Sequence, residues 1–449
     1  MNFIAPSSDL LQHLLTVNGA IMSKPIIPIL ENFLFDISNN QLRIYSTDLE
    51  TSMTTSMQVE CKESMKVAVP SKMVIDILRS LPDQPVTFNV DPQSFGIEVV
   101  NSNGRYKMAG QDGVDFPAMP ESNADGSFTI PANVLLRSIS KTLFAAGSDE
   151  LRLNLTGLYV EMKGNSVNFV ATDANKLVRL TRKDVNTGVE GNILIPKKPL
   201  NLLKTALPND ETPVIIDYNR SNVYFTFGET RLICRLLDEK YPDYAAVIPQ
   251  ENPNVITISR MALLSSINRI SIFASKTTYQ VRFKVVGNEL TISAEDIEMA
   301  NEAQERIPCE FEGNDMEIGF NAKFLKEMLS TLDGDQVQLR LSAPNRAGLV
   351  IPNENERDED LGDGAPPQLP AGSLVIVDVA GAPVTWKTRT VSLTENVQRE
   401  AMSPIEELFA WKDLAAEGRP VEDIAADFGV TPLVVQRRLK LANVSPRLL

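Results

Sequence analysis

Histidine is nearly missing from this chain of 449 residues: His13 is the only one. Histidine-based catalytic triads are thereby nearly excluded. Set in a helical pattern, His13 reads as a helix-surface residue. Cysteine is scarce as well. Cys61, Cys234 and Cys309 are scattered without metal-ligand spacing, which favours reduced thiols and a cytoplasmic setting. No apolar run is long enough to span a bilayer and no signal peptide is read, so no membrane partner is expected. There is no GxxxxGK[ST] loop to cradle nucleotide phosphates, no GxSxG elbow and no HExxH helix. Positive charge is in deficit, with 43 Lys+Arg against 58 Asp+Glu and a net charge of −15. Taken alone, that balance argues against wrapping nucleic acid.

What is present is an ordinary globular composition, 43% hydrophobic and 22% charged, with length for three or four domains. Carboxylates are plentiful but form no nuclease or polymerase cluster. No catalytic residue, cofactor or metal is expected, and roughly the first 350 residues read as a binding scaffold.

That scaffold is a repeat. Leu155 to Arg179 reads as a hairpin turning at Lys163-Gly164-Asn165, then a corner at Thr172-Asp173 and a third extended run at Leu177 to Leu180. Phe33 to Met53 repeats it with a turn at Ser38-Asn39-Asn40 and a corner at Thr47-Asp48. Val281 to Ala300 repeats it again, with Gly287-Asn288 and Glu295-Asp296. The corner aspartates Asp48, Asp173 and Asp296 recur about every 125 residues, the length of a whole domain rather than a solenoid unit. An aspartate so placed commonly closes a turn through its own side chain.

Each hairpin unit lies between two helices. The leading ones span Ser8 to Ile21, Ala132 to Ala145 and Arg260 to Phe273, with apolar stripes at helical spacing. Ser8 and Ser259 are expected N-caps, and Pro131 suits a first turn. The trailing helices read VPSKMVIDILRSLP, IPKKPLNLLKTALP and IGFNAKFLKEMLSTLD, each leading into paired strands. The pattern predicts an α+β fold with helices layered on mainly antiparallel strands. Turn residues at Pro117 to Pro120 and Pro249 to Pro253 divide it into domains 1–120, 121–250 and 251–361.

Opposite the apolar stripes lie Lys72 and Arg79, Arg137 and Lys141, Lys197 and Lys204, Arg260 and Arg269, and Lys323 and Lys326. Asp9, Asp76 and Glu327 are exceptions. Charged outer faces are common on helices. Several helices of one sign in an acidic chain, however, predict a surface that attracts DNA while the rest repels it.

PILENFLF at Pro28, VATDANKLVRL at Val170 and CRLLDEKYPDYAAVIP at Cys234 carry a resemblance to the bacterial sliding clamp family, the β subunit of DNA polymerase III. It covers residues 1 to about 361, and LSAPNRAGLVIPNENERDEDL at Leu341 is similar to Bacteroidetes-type clamps. The resemblance implies three similar domains in a half-ring, closed head to tail with a second copy, helices lining the hole and sheets outside. Such a ring slides on duplex DNA through weak phosphate contacts. It holds the polymerase III catalytic subunit on its template and is opened by an ATP-driven loader. Residue by residue, the resemblance assigns a partner cleft to Leu155, Thr172, Ala174, Asn175, Lys176, Leu177, Pro242 and Val247. Leu155, Leu177 and Val247 would form its apolar floor, and Ala174-Asn175-Lys176 stands where the family usually has Gly-His-Arg. Lys24 matches a DNA-contacting loop position and Lys72 lies near another, joining Arg79, Arg137, Lys141, Lys197 and Lys204 as expected DNA contacts. Asp149, Leu153 and Asn154 stand where the family places further DNA contacts, although Asp149 would repel phosphate. At the seam, Tyr106 and Met108 would meet Ile272 and Phe273 of a second copy.

The end of the chain departs from the family. A Gly/Pro-rich stretch replaces the final hydrophobic strand and Met-Pro-Met-like tail, leaving 362–383 as a linker with a replacement strand, SLVIVDV at Ser373 to Val379. That strand is expected to fill the vacant sheet edge. Residues 384–449 resemble a fragment of ParB-type partition proteins, on SLTENVQREAMSP and a helix-turn-helix pattern from Val421 with Arg437, Arg438 and Lys440. The GxRR motif of that family is absent, so CTP binding does not carry over to Glu395, Asn396 and Arg399. A sequence-specific partition-type DNA binder is therefore the second reading, and a DNA-acting enzyme, lacking any catalytic cluster, the third.

Overall fold

The computed structural model describes residues 2–352 apart from Ser23, Lys62, Glu121, Ser122, Glu298 and Asn345, together with Val421 and the backbone of Leu374–Asp378. All but Ala343, Pro344 and Val421 belong to one compact unit of the chain.

Domain 1 runs β1 (Asn2–Pro6), α1 (Ser7–Val17), β2 (Asn32–Ser38), β3 (Gln41–Thr47), β4 (Thr51–Gln58), β5 (Glu60–Cys61), β6 (Met65–Pro70), α2 (Ser71–Ser80), β7 (Pro85–Val90), β8 (Gly96–Val100), β9 (Arg105–Ala109) and β10 (Gln111–Asp112). Domain 2 repeats this order as β11 (Gly126–Pro131), α3 (Ala132–Thr142), β12 (Gly157–Lys163), β13 (Val167–Thr172), β14 (Lys176–Arg182), β15 (Glu190–Pro196), α4 (Lys197–Ala206), β16 (Pro213–Tyr218), β17 (Asn222–Phe227) and β18 (Thr230–Arg235). Domain 3 is β19 (Asn254–Ser259), α5 (Arg260–Ile270), β20 (Gln280–Val286), β21 (Glu289–Asp296), β22 (Asn301–Pro308), β23 (Glu310–Glu312), β24 (Met316–Asn321), α6 (Ala322–Thr331), β25 (Gln336–Leu341) and β26 (Gly348–Pro352). β27 (Leu374–Asp378) follows.

Each domain thus holds two antiparallel sheets and a helix pair. The hairpin units form one sheet, in the orders β6-β2-β3-β4, β15-β12-β13-β14 and β24-β20-β21-β22. The other sheet is β1-β7-β8-β9, then β11-β16-β17-β18, then β19-β25-β26-β27. The helix faces at Leu10/Leu14, Leu135/Ile139 and Leu263/Ile267 are fully covered and join one core with the inner strand residues. In domain 1 that core centres on Phe3 stacked on Phe88 at 4.7 Å, with Phe35 edge-on. Each such ring contributes about 2–3 kcal/mol by leaving water.

The helix ends differ from the sequence expectation. α1 starts at Ser7, and Ser8 does not cap it; its hydroxyl donates to Asp83 at 2.6 Å. Pro131 occupies the N-cap position ahead of α3 rather than the first turn. Ser259 does cap α5, accepting from the Ala262 amide. The last turns of the first two leading helices tighten into 3-10 segments, Asn18–Ala20 and Leu143–Ala145. His13 is half-buried rather than on the open surface, with Nδ1 2.9 Å from Thr55 Oγ1 on β4.

Sheets continue from domain to domain. β4 pairs with β18, so one nine-stranded sheet crosses from domain 1 to domain 2. β14 pairs with β27, and a second nine-stranded sheet crosses from domain 2 to domain 3. The rule is the same at both joints: the third strand of a hairpin unit pairs with the fourth strand of the next domain's second sheet.

Candidate functional site

The corners that end the hairpin units are turns closed by their own side chains. Asp48 Oδ1 accepts from the amides of Glu50 and Thr51, and Asp173 Oδ1 from those of Asn175 and Lys176. Thr47 and Thr172 accept from Leu49 and Ala174, the two residues held at φ of 78° and 75°. At the domain 3 corner, among the described residues, the Met299 amide donates to Asp296 Oδ1 and the Ala300 amide to the Ile297 carbonyl.

Beside the second corner, the outer face of the β13-β14-β15 sheet carries Val170, Leu177 and Leu194. The segment Tyr241 to Ile248 covers them, and Leu349 and Ile351 of β26 complete the cluster from domain 3. Tyr241 stacks on Tyr159 at 4.4 Å, and burial raises the pKa values of Tyr241 and Tyr244 well above the ordinary tyrosine range. Tyr244 donates to Glu161 at 2.5 Å.

The residues assigned to the partner cleft divide here. Pro242, Val247, Ala174 and Asn175 are exposed, Val247 by 52%. Leu155, Leu177 and Thr172 are buried beneath them. Lys176 is not on a rim. Its side chain is only 7% exposed, and Nζ reaches Glu327 of α6 at 2.5 Å and Asp173 at 3.6 Å. The rings of Phe144 and Phe324 flank it at 5.9 and 4.9 Å. A lysine caged between two domains in this way is a joint. Phe324, Tyr241 and Tyr244 matter to this region and were not singled out from sequence, and Glu327 was noted only as an acidic exception on its helix.

The cations divide as well. Lys24, Lys72, Arg79 and Lys204 are exposed. Lys141 turns inward to the Thr331 carbonyl and to Asp333, which Arg137 also meets at 3.1 Å. Lys197 donates to the Ala146 carbonyl at 2.5 Å. Burial, then the nearby Lys176 charge, lowers its pKa. Arg260 donates to the Gly334 and Leu329 carbonyls, and Arg269 pairs with Glu305. Several cations expected on one outer surface therefore hold domains together or close helix ends. Leu153 is exposed, and Asn154 donates to the Lys240 carbonyl at 3.4 Å. Asp149 is half-buried and 3.9 Å from Arg152.

Two sheet edges of the repeated type have no neighbour among the described residues: β9 in domain 1 and β22 in domain 3. β9 carries exposed Arg105, Tyr106 and Lys107, and β22 carries exposed Glu302. Ile272 and Phe273, just past α5, are 71% and 39% exposed. Met108, on β9, is only 6% exposed and joins the domain 1 core. Among the described residues no group of His, Cys, Asp and Glu could hold a metal, and no helix is long and apolar enough to cross a membrane.

Three tandem domains of one topology, joined edge to edge with two matching edges left over, define a modular scaffold of the clamp class. Family models for the N-terminal, central and C-terminal domains of the DNA polymerase III beta subunit match residues 1–120, 129–243 and 245–361. The chain belongs to that family. It is 29% identical over 375 residues to the beta sliding clamp of a Synechocystis species, covering 78% of this chain and 96% of that relative. It is 28% identical over 360 residues to the beta sliding clamp of Vibrio cholerae, covering 80% and 97%. A crystal structure of the DNA polymerase III subunit beta from Pseudomonas aeruginosa superposes with a TM-score of 0.76 at 27% identity, covering 84% of this chain and 99% of that one. The family models stop at residue 361, and the partition-type resemblance of 384–449 lies outside the described residues except for Val421.

Proposed function

We propose that two copies of this chain close head to tail into a ring around duplex DNA and that the ring serves as the processivity factor of DNA polymerase III. In this reading β9 of one copy pairs with β22 of the other. The observation that carries it is the joining rule: β4 meets β18 and β14 meets β27, which leaves a third strand, β22, and a fourth strand, β9, as the remaining pair. Charge supports the match, since Arg105 and Lys107 would approach Glu302. An exposed edge strand is otherwise a template for aggregation.

The ring is a non-catalytic scaffold of the cytoplasm. Lys24, Lys72, Arg79 and Lys204 supply sequence-independent phosphate contacts. Pro242 and Val247, beside the apolar cluster at the second joint, receive the hydrophobic side chains of a polymerase or loader peptide.

Ile272→Asp combined with Phe273→Asp should convert dimer to monomer in sedimentation and abolish retention on nicked circular DNA. An unchanged dimer overturns the seam. Replacing Lys72, Arg79 and Lys204 by Ala should flatten the salt dependence of DNA association by up to about 0.9 in log–log slope per lost phosphate contact.

A further inference from the structure

The fourth strand of the second sheet reaches its place differently in the three domains. In domain 1, residues 101–104 separate β8 from β9; in domain 2, only Gly228 and Glu229 separate β17 from β18. In domain 3, residues 353–373 lie between β26 and β27, and the family match ends within them, at residue 361. β27 nevertheless pairs on both sides. Its five residues oppose Lys176 to Leu180 of β14, and Gly348 to Val350 of β26 oppose Asp378 to Ile376.

We propose that the gap between β14 and β26 is an acceptor site for one extended apolar strand, filled in this chain by Leu374–Asp378. The bonds that hold an inserted strand are main-chain bonds, so the site asks for an extended, β-prone segment of about five residues rather than for one sequence. Leu-Val-Ile-Val meets that demand although it lies beyond the residues that the family model matches. The site is costly to leave open. Emptied, β14 and β26 would each present a row of unpaired amides and carbonyls beside residues that are otherwise buried, Leu177, Val178 and Leu349 among them. Filling the site also makes the sheet continuous between domains 2 and 3. None of this depends on the ring closing around DNA.

The test uses the full chain and the synthetic peptide SLVIVDV. Proline at Ile376 removes a ladder donor and its ring is excluded from an interior strand. In Ile376→Pro, hydrogen exchange at Lys176 to Leu180 and Gly348 to Val350 should quicken at least tenfold, while the β4 and β18 amides keep their protection. Millimolar SLVIVDV should restore the slow exchange, and SLVPVDV should not. Unchanged protection in the variant, or no restoration by SLVIVDV, overturns the proposal. If the variant loses protection everywhere, the unaltered chain decides. An inserted strand on a connection of this length competes at an effective concentration on the order of millimolar. Peptide with a photoreactive residue in place of Val377, supplied at several millimolar, should then crosslink to β14 at Leu177 or to β26 at Leu349. Crosslinking elsewhere, or none, overturns it.

Discussion

The two joints inside the chain follow one rule but are built from different materials. Between domains 1 and 2, β18 arrives on a two-residue hairpin and pairs with β4 over five residues, Thr51 to Thr55 against Cys234 to Thr230. Around that ladder Lys198 meets Asp48, Ser56 meets Glu229 at 2.6 Å, and the Arg235 amide donates to Glu50. Between domains 2 and 3 the ladder is equally long, but its strand comes after residues 353–373. The second joint adds a buried cation, Lys176, and the apolar cluster of Leu177, Tyr241, Tyr244 and Leu349. Each joint holds one ion pair with a buried member, Asp48 at the first and Lys176 at the second, but the joint whose strand is distant adds the apolar cluster and so leans more on side-chain burial.

The largest expected effect follows from that contrast. Leu177→Ala removes a fully packed side chain from the cluster that spans the second joint and should lower stability by about 2–4 kcal/mol in urea unfolding. Hydrogen exchange should place the loss at β14 and β26 rather than at β4 and β18. Next comes the caged cation. Glu327→Ala leaves Lys176 buried with only Asp173 and two rings, and should cost about 1–3 kcal/mol. The corresponding change at the first joint, Lys198→Ala, leaves Asp48, whose side chain is only 6% exposed, with the Glu50 and Thr51 amides still donating to it, and should cost less, about 1–2 kcal/mol. Equal losses at the two joints would erase the distinction.

A further difference is chemical. The only histidine stands at the first joint, where His13 meets Thr55 and Thr55 lies against Thr230 of β18. Burial lowers the His13 pKa, opposed by the charges of Asp9 and Glu229. The folded chain therefore disfavours the protonated ring. This contribution is present above the unfolded histidine pKa, near 6.5, and is lost as pH falls below it, because the unfolded chain then binds the proton more readily. Acidification from pH 7.5 to 5.5 should loosen β4 and β18 slightly more than β14 and β27. In His13→Gln the pH dependence of the first joint should vanish.

Much of this architecture is legible in the sequence because it rests on local signals. Hairpin turns at Asn39-Asn40, Gly164 and Gly287 take positive φ as their residue types demand, and the corner aspartates close turns through their own backbone neighbours. What escapes sequence reading depends on distant partners. Nothing near Lys176 announces that its ammonium ends against Glu327, 151 positions away, and a lysine beside a corner reads as a rim residue. Lys141 and Arg137 are likewise claimed by Asp333, more than a domain later in the chain. Alternation marks Leu177 as apolar, but whether such a face is covered or left open depends on the Tyr241 to Ile248 segment that crosses it.

The smallest expected effect compares the corners of the two joints directly. Leu49 and Ala174 occupy the same place after Asp48 and Asp173, both with φ in the left-handed region and both with amides donating to the preceding threonine. A residue with a Cβ loses about 1–2 kcal/mol in that conformation. Glycine escapes this cost but gains freedom in the unfolded chain worth about 0.4–1 kcal/mol. Ala174→Gly should therefore raise stability by about 0.5 kcal/mol, a small upward shift of the urea midpoint with unchanged slope. Leu49→Gly should gain a similar amount, less whatever its half-exposed side chain still buries. Ala174→Val should go the other way, because a β-branched side chain tolerates positive φ least. If Ala174→Gly instead lowers the midpoint, the corner is unstrained and its geometry is set by the Thr172 and Asp173 hydrogen bonds alone.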